Sequence, residues 1–285
     1  MPSPRGAGAP RRWRCGGREL DLSRPLVMGV LNVTPDSFSD GGRFASHDAA
    51  IARGLQMIAD GAALIDVGGE STRPGAVAVP AAEQLRRVLP VIRALAASQA
   101  VISIDTSKPE VMAEAVAAGA SLINDVRALQ EPGALACAAA LSSPVCLMHM
   151  QGQPQSMQRN PTYSDVVTEV KDFLLRRVQA CVDAGIAREG LLLDPGFGFG
   201  KSLEHNLALL RHLPELTALE LPLLVGLSRK SMLRELTGRA VTKRAAGSLA
   251  LAMLAVQRGA SIVRVHDVAG TVDALKVLAA VEYGD

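Results

Sequence analysis

The amino-acid sequence predicts an α/β fold, a single-domain (β/α)8 TIM barrel, from three observations. Eight short apolar runs rich in β-branched residues alternate with longer segments of helical period. Continuous apolar strands between helices are typical of a parallel sheet that is covered on its faces. The length of 285 residues suits eight such units, since this barrel takes ~250 residues. An open doubly wound sheet is the alternative, but no GxGxxG pattern follows the first strand to favour it.

The apolar runs define eight predicted strands: Leu26–Val30, Leu64–Val67, Val101–Ile104, Leu122–Ile123, Val145–Met148, Leu191–Leu193, Leu223–Gly226 and Ile262–Val265. The predicted helices include Asp48–Ala59, Ala81–Ala97, Glu110–Ala118, Tyr163–Ala184, Leu203–Leu213, Arg244–Arg258 and Val272–Ala280. In Tyr163–Ala184 the apolar residues recur every three to four positions, which is the pattern of an amphipathic helix.

A weak internal repeat supports one recurring unit. The segments Gly61–Val67, Gly119–Asp125 and Gly259–Val265 read GAALIDV, GASLIND and GASIVRV. In each we expect the glycine to end a helix in the left-handed conformation, and the apolar residues to begin a buried strand.

Composition and charge exclude several classes of protein. Hydrophobic residues make up 48% and charged residues 20% of the chain, which excludes wholesale disorder. Lys and Arg total 30 against 28 Asp and Glu, so we expect no nucleic-acid or membrane partner, and an anionic ligand must meet a local cluster. The four cysteines are widely spaced, which indicates neither a zinc site nor a disulfide framework and fits a reducing, cytoplasmic location.

The first 24 residues differ from the rest of the chain. They are rich in Pro, Gly and Arg and lack the apolar segment of a secretory signal. We therefore expect residues 1–24 to form a flexible or strand-capping leader, and residues 25–285 to form the barrel.

Aromatic residues are scarce, at 3% of the chain, and four of the five Phe fall in loop sequence rich in Gly, Ser and Asp. These four are Phe38, Phe44, Phe197 and Phe199. We expect them to stack on a flat ligand and not to fill the core.

A polar or ionisable residue follows every predicted strand. Because the active site of a TIM barrel lies at the carboxyl ends of its strands, these residues are the candidate site. In chain order they are Asn32, Asp66 with Thr72 and Arg73, Asp105, Asn124 with Asp125, His149, Asp194, Ser228 with Lys230, and Arg264 with His266. For Asp66 and Asp125, a capping or solvated position is an equally good interpretation.

The charges divide the predicted site into two ends. Asp105, Asn124 and Asp194 come from the middle strands, and carboxylates without cationic partners would suit the donor-rich edge of an amidine-like ring. Five residues from the first, second and last strands suit a phosphate or diphosphate, and they are Asn32, Thr72, Arg73, Arg264 and His266. The long loops TPDSFSDGGRF and GGESTRPGA are expected to act as mobile lids.

Eight separated segments of the chain resemble the dihydropteroate synthase family of folate biosynthesis. They are MGVLNVTPDSFSDGG (Met28–Gly42), LIDVGGESTRPGA (Leu64–Ala76), ISIDTSKPEV (Ile102–Val111), LINDV (Leu122–Val126), MHMQGQPQSMQ (Met148–Gln158), DPGFGFGKSLEHN (Asp194–Asn206), GLSRKSM (Gly226–Met232) and RVHDV (Arg264–Val268). Their agreement in order along the chain is far more specific than any single motif. The segment GAVAVPAAEQ after Arg73 departs from the family pattern, because it lacks the acidic residues that the family often has near that point.

The resemblance implies a pterin-binding (β/α)8 barrel, usually a homodimer, that joins (7,8-dihydropterin-6-yl)methyl diphosphate to 4-aminobenzoate and is inhibited by sulfonamides. It implies that Asp105, Asn124, Asp194 and Lys230 hold the pterin, with Arg264 stacked on the ring. It places Asn32 on Mg²⁺ at the diphosphate, together with Thr72, Arg73 and His266. It assigns Pro74, Phe199 and Ser228 to 4-aminobenzoate, and Asp40, Asp105 and Lys230 to catalysis. No dedicated strong base is expected.

Three alternatives stay open at this point. A methyltetrahydrofolate methyltransferase would bind a folate but has no need of a diphosphate cluster. An aldolase could form a Schiff base on Lys230. A non-catalytic paralogue could bind pterin without turnover, although Asn32, Asp40, Arg73 and His266 are all present in the sequence.

Overall fold

The computed structural model describes residues 12–34, 42–71, 76, 78–153 and 155–283. Within these ranges the strands are β1 (Arg12–Cys15), β2 (Arg18–Asp21), β3 (Leu26–Asn32), β4 (Leu64–Gly68), β5 (Val101–Asp105), β6 (Leu122–Asp125), β7 (Val145–Met148), β8 (Leu191–Asp194), β9 (Leu224–Val225) and β10 (Ile262–Val265). The helices are α1 (Gly42–Ala59), α2 (Ala81–Leu95), α3 (Pro109–Ala117), α4 (Ala134–Leu141), α5 (Val166–Asp183), α6 (Leu203–Arg211), α7 (Leu213–Thr217), α8 (Ser231–Thr237), α9 (Ala245–Gln257) and α10 (Val268–Tyr283).

Eight of the strands form the parallel barrel that the sequence predicts. Their order is β8-β7-β6-β5-β4-β3-β10-β9. A parallel bridge between Leu193 and Leu223 joins the two ends of this order. All eight predicted strands are confirmed, and the glycines of the internal repeat have the expected positive φ, between 99° and 114°.

The predicted helices are also confirmed, with two differences. The segment Leu203–Leu213 is divided into α6 and α7, because Pro214 begins a new helix at its first turn and cannot continue the previous one. Helices α4 and α8 were not among the predicted helices. The first is almost entirely apolar, ALACAAAL, and has no amphipathic period to reveal it, while the second has only seven residues.

The interior of the barrel changes from apolar to polar along its axis. One buried cluster fills its amino-terminal half, and its members on the barrel strands are Met28, Leu64, Val101, Leu122, Cys146, Leu192, Leu224 and Ile262. Because alternate residues of a strand point to the same side, Asp66, Asn124, Asp194 and Arg264 lie two residues further along their strands and point inward above this cluster. The strand period itself therefore brings the polar groups to one end.

An antiparallel hairpin closes the opposite, amino-terminal end. Strands β1 and β2 pair with each other, and Trp13, Cys15 and Leu22 are buried in the same apolar cluster. Arg18 fastens the hairpin by donating to the carbonyl oxygens of Ser98, at 2.7 Å, and Ala100, at 3.2 Å. The part of the predicted leader that the structure describes thus packs as a hairpin over this end of the barrel. Residues 1–11 lie outside the described ranges, so the leader over residues 1–24 stays a prediction.

No helix in the described part of the chain is long and apolar enough to cross a membrane.

Candidate active site

An arginine held between two carboxylates lies at the centre of the polar end of the barrel. Arg264 Nε donates to Asp66 Oδ2 at 2.6 Å, and Arg264 Nη2 donates to Asp105 Oδ2 at 2.9 Å. Asn124 Nδ2 donates to the same Asp66 oxygen at 3.0 Å. Asp66 is fully buried. The result is a rigid network that fixes the plane of the guanidinium.

This network corrects one sequence-based expectation. The pattern of charges grouped Arg264 with the phosphate-binding residues and assigned no cationic partner to the carboxylates. The structure instead pairs Arg264 with Asp105 of that group and with Asp66, because β10, β3, β4 and β5 are consecutive in the barrel. Asp66 therefore belongs to the site, where its buried side chain serves to hold Arg264. The resemblance placed Arg264 on the pterin ring, and that role stays a prediction.

Burial and crowding of charge control the protonation of this network. Burial, with the negative charge of Asp66 adding to it, raises the pKa of Asp105 to about 7, although Arg264 opposes the shift. Burial lowers the pKa of Arg264, but Asp66 and Asp105 more than compensate and leave it above its ordinary value. The carboxyl of Asp105 thus changes charge near neutral pH, while Arg264 stays cationic.

Asp194, which ends β8, and Lys230, which immediately precedes α8, influence each other through their charges. Asp194 Oδ1 accepts a hydrogen bond from the backbone nitrogen of Gly196 at 2.7 Å. Burial raises the pKa of Asp194, and the charge of Lys230 opposes this. Burial likewise lowers the pKa of Lys230 to about 8, against the opposing effect of Asp194. Lys230 Nζ donates to the carbonyl oxygen of Phe197. That Asp194 and Lys230 hold a pterin ring stays a prediction.

The loop from 195 to 201 places one Phe in the core and one at the site. Phe197 is fully buried in the apolar core, so the expectation that it would stack on a ligand is wrong. Phe199 is half-buried, and Lys230 Nζ lies 4.5 Å from the centroid of its ring. A Cβ on Gly196, whose φ is 69°, would lie 1.8 Å from the carbonyl oxygen of His149, so only glycine fits at this turn.

Only some residues of the predicted anion-binding end lie within the described part of the chain. Asn32 ends β3 and is half-buried, as is His266 after β10. Ser228 Oγ lies 3.0 Å from His266 Nδ1, so Ser228 sits with the anion-binding group. Thr72, Arg73 and Pro74 lie outside the described residues, as do Asp40 and Phe38, and nothing is described of the side chain of Phe44.

Asp125 has the capping role that the sequence offered as the alternative to ligand binding. Its carboxylate accepts from the backbone nitrogens of Arg127, at 2.9 Å, and Leu129, at 2.7 Å, and from the hydroxyl of Ser107. It therefore caps the loop after β6 and lies outside the ligand-binding group.

Comparison with known proteins places the chain in a family. A sequence profile described as pterin binding enzyme matches residues 28–266. The chain belongs to this family of pterin-binding enzymes. Within it, the dihydropteroate synthase of Escherichia coli K12 is 56% identical over 265 residues, which cover 93% of this chain and 94% of that protein.

Solved structures agree with this result. The dihydropteroate synthase of Xanthomonas albilineans with 4-aminobenzoic acid superposes with a TM-score of 0.91 at 57% identity, covering 96% of this chain and 98% of that one. The same enzyme in complex with 7,8-dihydropteroate has a TM-score of 0.87 at 53% identity, covering 95% and 99% of the two chains. The match favours synthase chemistry over the methyltransferase and aldolase alternatives.

Proposed function

We propose that the protein joins (7,8-dihydropterin-6-yl)methyl diphosphate to 4-aminobenzoate, giving 7,8-dihydropteroate and diphosphate, as its dihydropteroate synthase relatives do. The observation that carries this proposal is the arrangement of Asp105, Asn124, Asp194 and Arg264 on one rim of the barrel. A flat ring with an amino-pyrimidine edge satisfies this set of acceptors and the guanidinium face together.

The pterin end would work as follows. One oxygen of Asp194 is occupied by Gly196, which leaves the other to accept from the ring's amino-pyrimidine edge. Arg264 presents a plane that two carboxylates hold in place, and a lysine could not imitate that plane. Lys230, cationic below pH about 8, would donate to a ring acceptor.

The diphosphate end would use Asn32, His266, Thr72 and Arg73. Asn32 offers a neutral amide oxygen, and a Cβ on Gly68 would lie 3.6 Å from both Asn32 Oδ1 and Asp105 Cβ. This oxygen suits Mg²⁺, which takes few protein ligands and completes its shell with phosphate oxygens and water. Bound there, Mg²⁺ would neutralise charge on the departing diphosphate.

The reaction would be a displacement at the exocyclic methylene. The carbon–oxygen bond breaks and its electron pair leaves with the diphosphate, so positive charge develops on the methylene and the conjugated ring. Ionised Asp105 would stabilise that charge. The nitrogen lone pair of 4-aminobenzoate then forms the new carbon–nitrogen bond, and the nitrogen loses one proton to solvent. Asp40 would organise the loop that keeps water from the cation.

The arylamine end would be formed by Phe199 and Pro74. Ser228, which the resemblance assigns to 4-aminobenzoate, lies beside His266 and would connect this end with the diphosphate end. Because sulfonamides resemble 4-aminobenzoate, they should compete at this end.

We also propose that the protein is a cytoplasmic homodimer. Its four cysteines carry free thiols, as expected of a reducing compartment. Val277 and Val281 on α10 are 66% and 78% exposed, and Leu254 on the adjacent α9 is 38% exposed. This apolar strip suits a second copy of the chain. Sedimentation of the wild type and of the Val277→Glu variant tests it, and a monomeric wild type would contradict it.

The activity is tested with purified protein, the pterin diphosphate, Mg²⁺ and 4-aminobenzoate, by measuring dihydropteroate. Asp194→Ala should abolish pterin binding. His266→Ala should impair use of the diphosphate and leave binding of a diphosphate-free pterin largely intact. Pterin binding without product would identify a non-catalytic paralogue, and equal loss of pterin binding in both variants would contradict the two-ended site.

A further inference from the structure

A buried lysine beneath the site has no part in the reaction as proposed above. Lys201 is the last residue of the DPGFGFGK segment and is 2% exposed. Lysine is almost never fully buried unless it is paired. Its Nζ lies 2.8 Å from His149 Nδ1, and it donates to the carbonyl oxygens of Gly196, at 2.9 Å, and Phe199, at 3.1 Å. These three contacts use the three hydrogen-bonding positions of the amine. Burial lowers the pKa of Lys201 well below its ordinary value, and the charge of Asp194 opposes this shift.

His149 supplies a fixed acceptor for this lysine. Burial, together with the charge of Lys201, lowers the pKa of His149 to about 2. The ring is therefore neutral, and its Nδ1 faces the amine of Lys201. Phe173 packs edge-on against the ring at 4.9 Å, and the backbone nitrogen of His149 donates to the carbonyl oxygen of Asp194 at 3.0 Å. His149 is thus held by the barrel and not by the loop.

The lysine connects the two ends of the loop. Gly196 lies two residues after Asp194, the predicted pterin ligand, while Phe199 forms the predicted arylamine wall under Lys230. The side-chain oxygen of Asn206 accepts a hydrogen bond from the backbone nitrogen of Gly198 at 2.7 Å. The hydroxyl of Tyr163 donates to the carbonyl oxygen of Gly200, also at 2.7 Å. Lys201 differs from these two residues because its amine joins the loop carbonyl oxygens of Gly196 and Phe199 to His149, a side chain at the end of a barrel strand.

We infer that Lys201 and His149 are a positioning pair that sets Phe199 against Lys230, and thereby determines affinity for the arylamine substrate without contacting it. This inference rests on the proposed function. It adds a residue pair that controls the affinity for one of the two substrates. The pair acts on the loop backbone, so its loss displaces the aromatic wall. A displacement of about 1 Å can change a rate by orders of magnitude.

The test compares Lys201→Met with wild type, using Lys276→Met as the control because Lys276 is 75% exposed on α10. Lys201→Met should raise the KM for 4-aminobenzoate and the Kd of a sulfonamide at least about tenfold. The Kd of a diphosphate-free pterin should change no more than about twofold. Lys276→Met should change none of these constants.

Variants of the partner show whether the pair acts as a unit. His149→Phe keeps a ring against Phe173 but removes the acceptor, so it should reproduce the defect of Lys201→Met. His149→Gln keeps an acceptor and should restore most of the arylamine affinity. The double variant Lys201→Met/His149→Phe should be no worse than either single variant.

Several results would overturn the inference. These are an unchanged arylamine KM in Lys201→Met, an equal loss of pterin binding, or additive defects in the double variant. If Lys201→Met does not fold, His149→Gln and His149→Phe decide the matter, and equal arylamine affinity in the two would reject the pair. Sulfonamide binding is measured by calorimetry with pterin and diphosphate present, so it is independent of turnover. A wild type that makes no dihydropteroate refutes the proposed function separately.

Discussion

The two ends of the barrel are built from the same eight strands but contain opposite chemistry. At the amino end, Trp13, Cys15 and Leu22 seal an apolar cluster. At the carboxyl end, Arg264 bridges Asp66 and Asp105, and two of these three charged groups are almost fully buried. Apolar burial at one end stabilises the fold, whereas burial of charge at the other end is costly unless partners compensate for it. Stability and chemistry are thus separated along one axis.

Removing Arg264 should have the largest effect at the polar end. Arg264→Ala leaves Asp66 and Asp105 as buried carboxylates without their cation, which costs ~3–5 kcal/mol. Binding of pterin, measured by calorimetry, should weaken by at least about a hundredfold. Arg264→Lys should recover little of it, since lysine lacks the planar fork. Pterin binding close to wild type in Arg264→Lys would show that charge alone matters here.

Trp13→Ala should have the largest effect at the apolar end. Trp13 is 1% exposed, and truncating a buried Trp costs ~3–5 kcal/mol of unfolding free energy. Urea denaturation should show this loss, while both KM values measured well below the melting temperature stay unchanged. Val241→Ala, at a position that is 48% exposed, is the control and should cost less than ~0.5 kcal/mol. Altered KM values would mean that the two ends are coupled.

The pH profile tests the charge network itself. Because the pKa of Asp105 is raised to about 7, the carboxyl gains a proton below that pH and loses the charge that stabilises the pterin cation. The ratio kcat/KM for the pterin diphosphate should therefore fall about tenfold per pH unit below about 7. Asp66→Asn removes a neighbouring negative charge that raises this pKa, so it should move the acidic limb to lower pH. If the acidic side of the kcat/KM profile does not move in Asp66→Asn, another group is responsible for the titration.

The smallest expected effect comes from a glycine at the polar end. A Cβ on Gly68 would meet Asn32 and Asp105 only at 3.6 Å, which is ordinary contact. Gly68→Ala should therefore fold normally and weaken substrate binding by about tenfold, as one extra methyl in a fitted pocket does. Gly226→Ala, whose Cβ would lie 3.8 Å from Arg264 Cβ, is the comparison. If substrate binding is unchanged in Gly68→Ala, the substrates do not lie against Gly68.

The sequence predicts the barrel well because the strand signal is local. Apolar runs and helix-ending glycines recur along the chain, and neither needs knowledge of distant residues. Which side chains end the strands was also predictable, since the carboxyl ends of parallel strands meet. Which charged side chains pair with one another was not predictable from the sequence. Arg264 and Asp66 are far apart in sequence, and their pairing depends on the closure of the barrel and on side-chain direction.

The loop from 195 to 201 shows a second limit of sequence reasoning. Phe197 and Phe199 stand in nearly identical settings, GFG, yet one fills the core and the other lines the site. The direction of each ring depends on the turn at Gly196 and on the hydrogen bonds from Lys201 to two backbone carbonyl oxygens. A buried lysine in a polar loop has no distinct sequence signal, so this pair could only be found in three dimensions.

The hairpin at the amino end has a consequence for the order of assembly during synthesis. Its two strands are synthesised before the barrel strands, but the surface that receives Trp13 includes Ile262 from β10. The hairpin can therefore complete its contacts only after β10 has been made. Until then the indole of Trp13 lacks part of its apolar cover, so docking of the hairpin is a late step of folding.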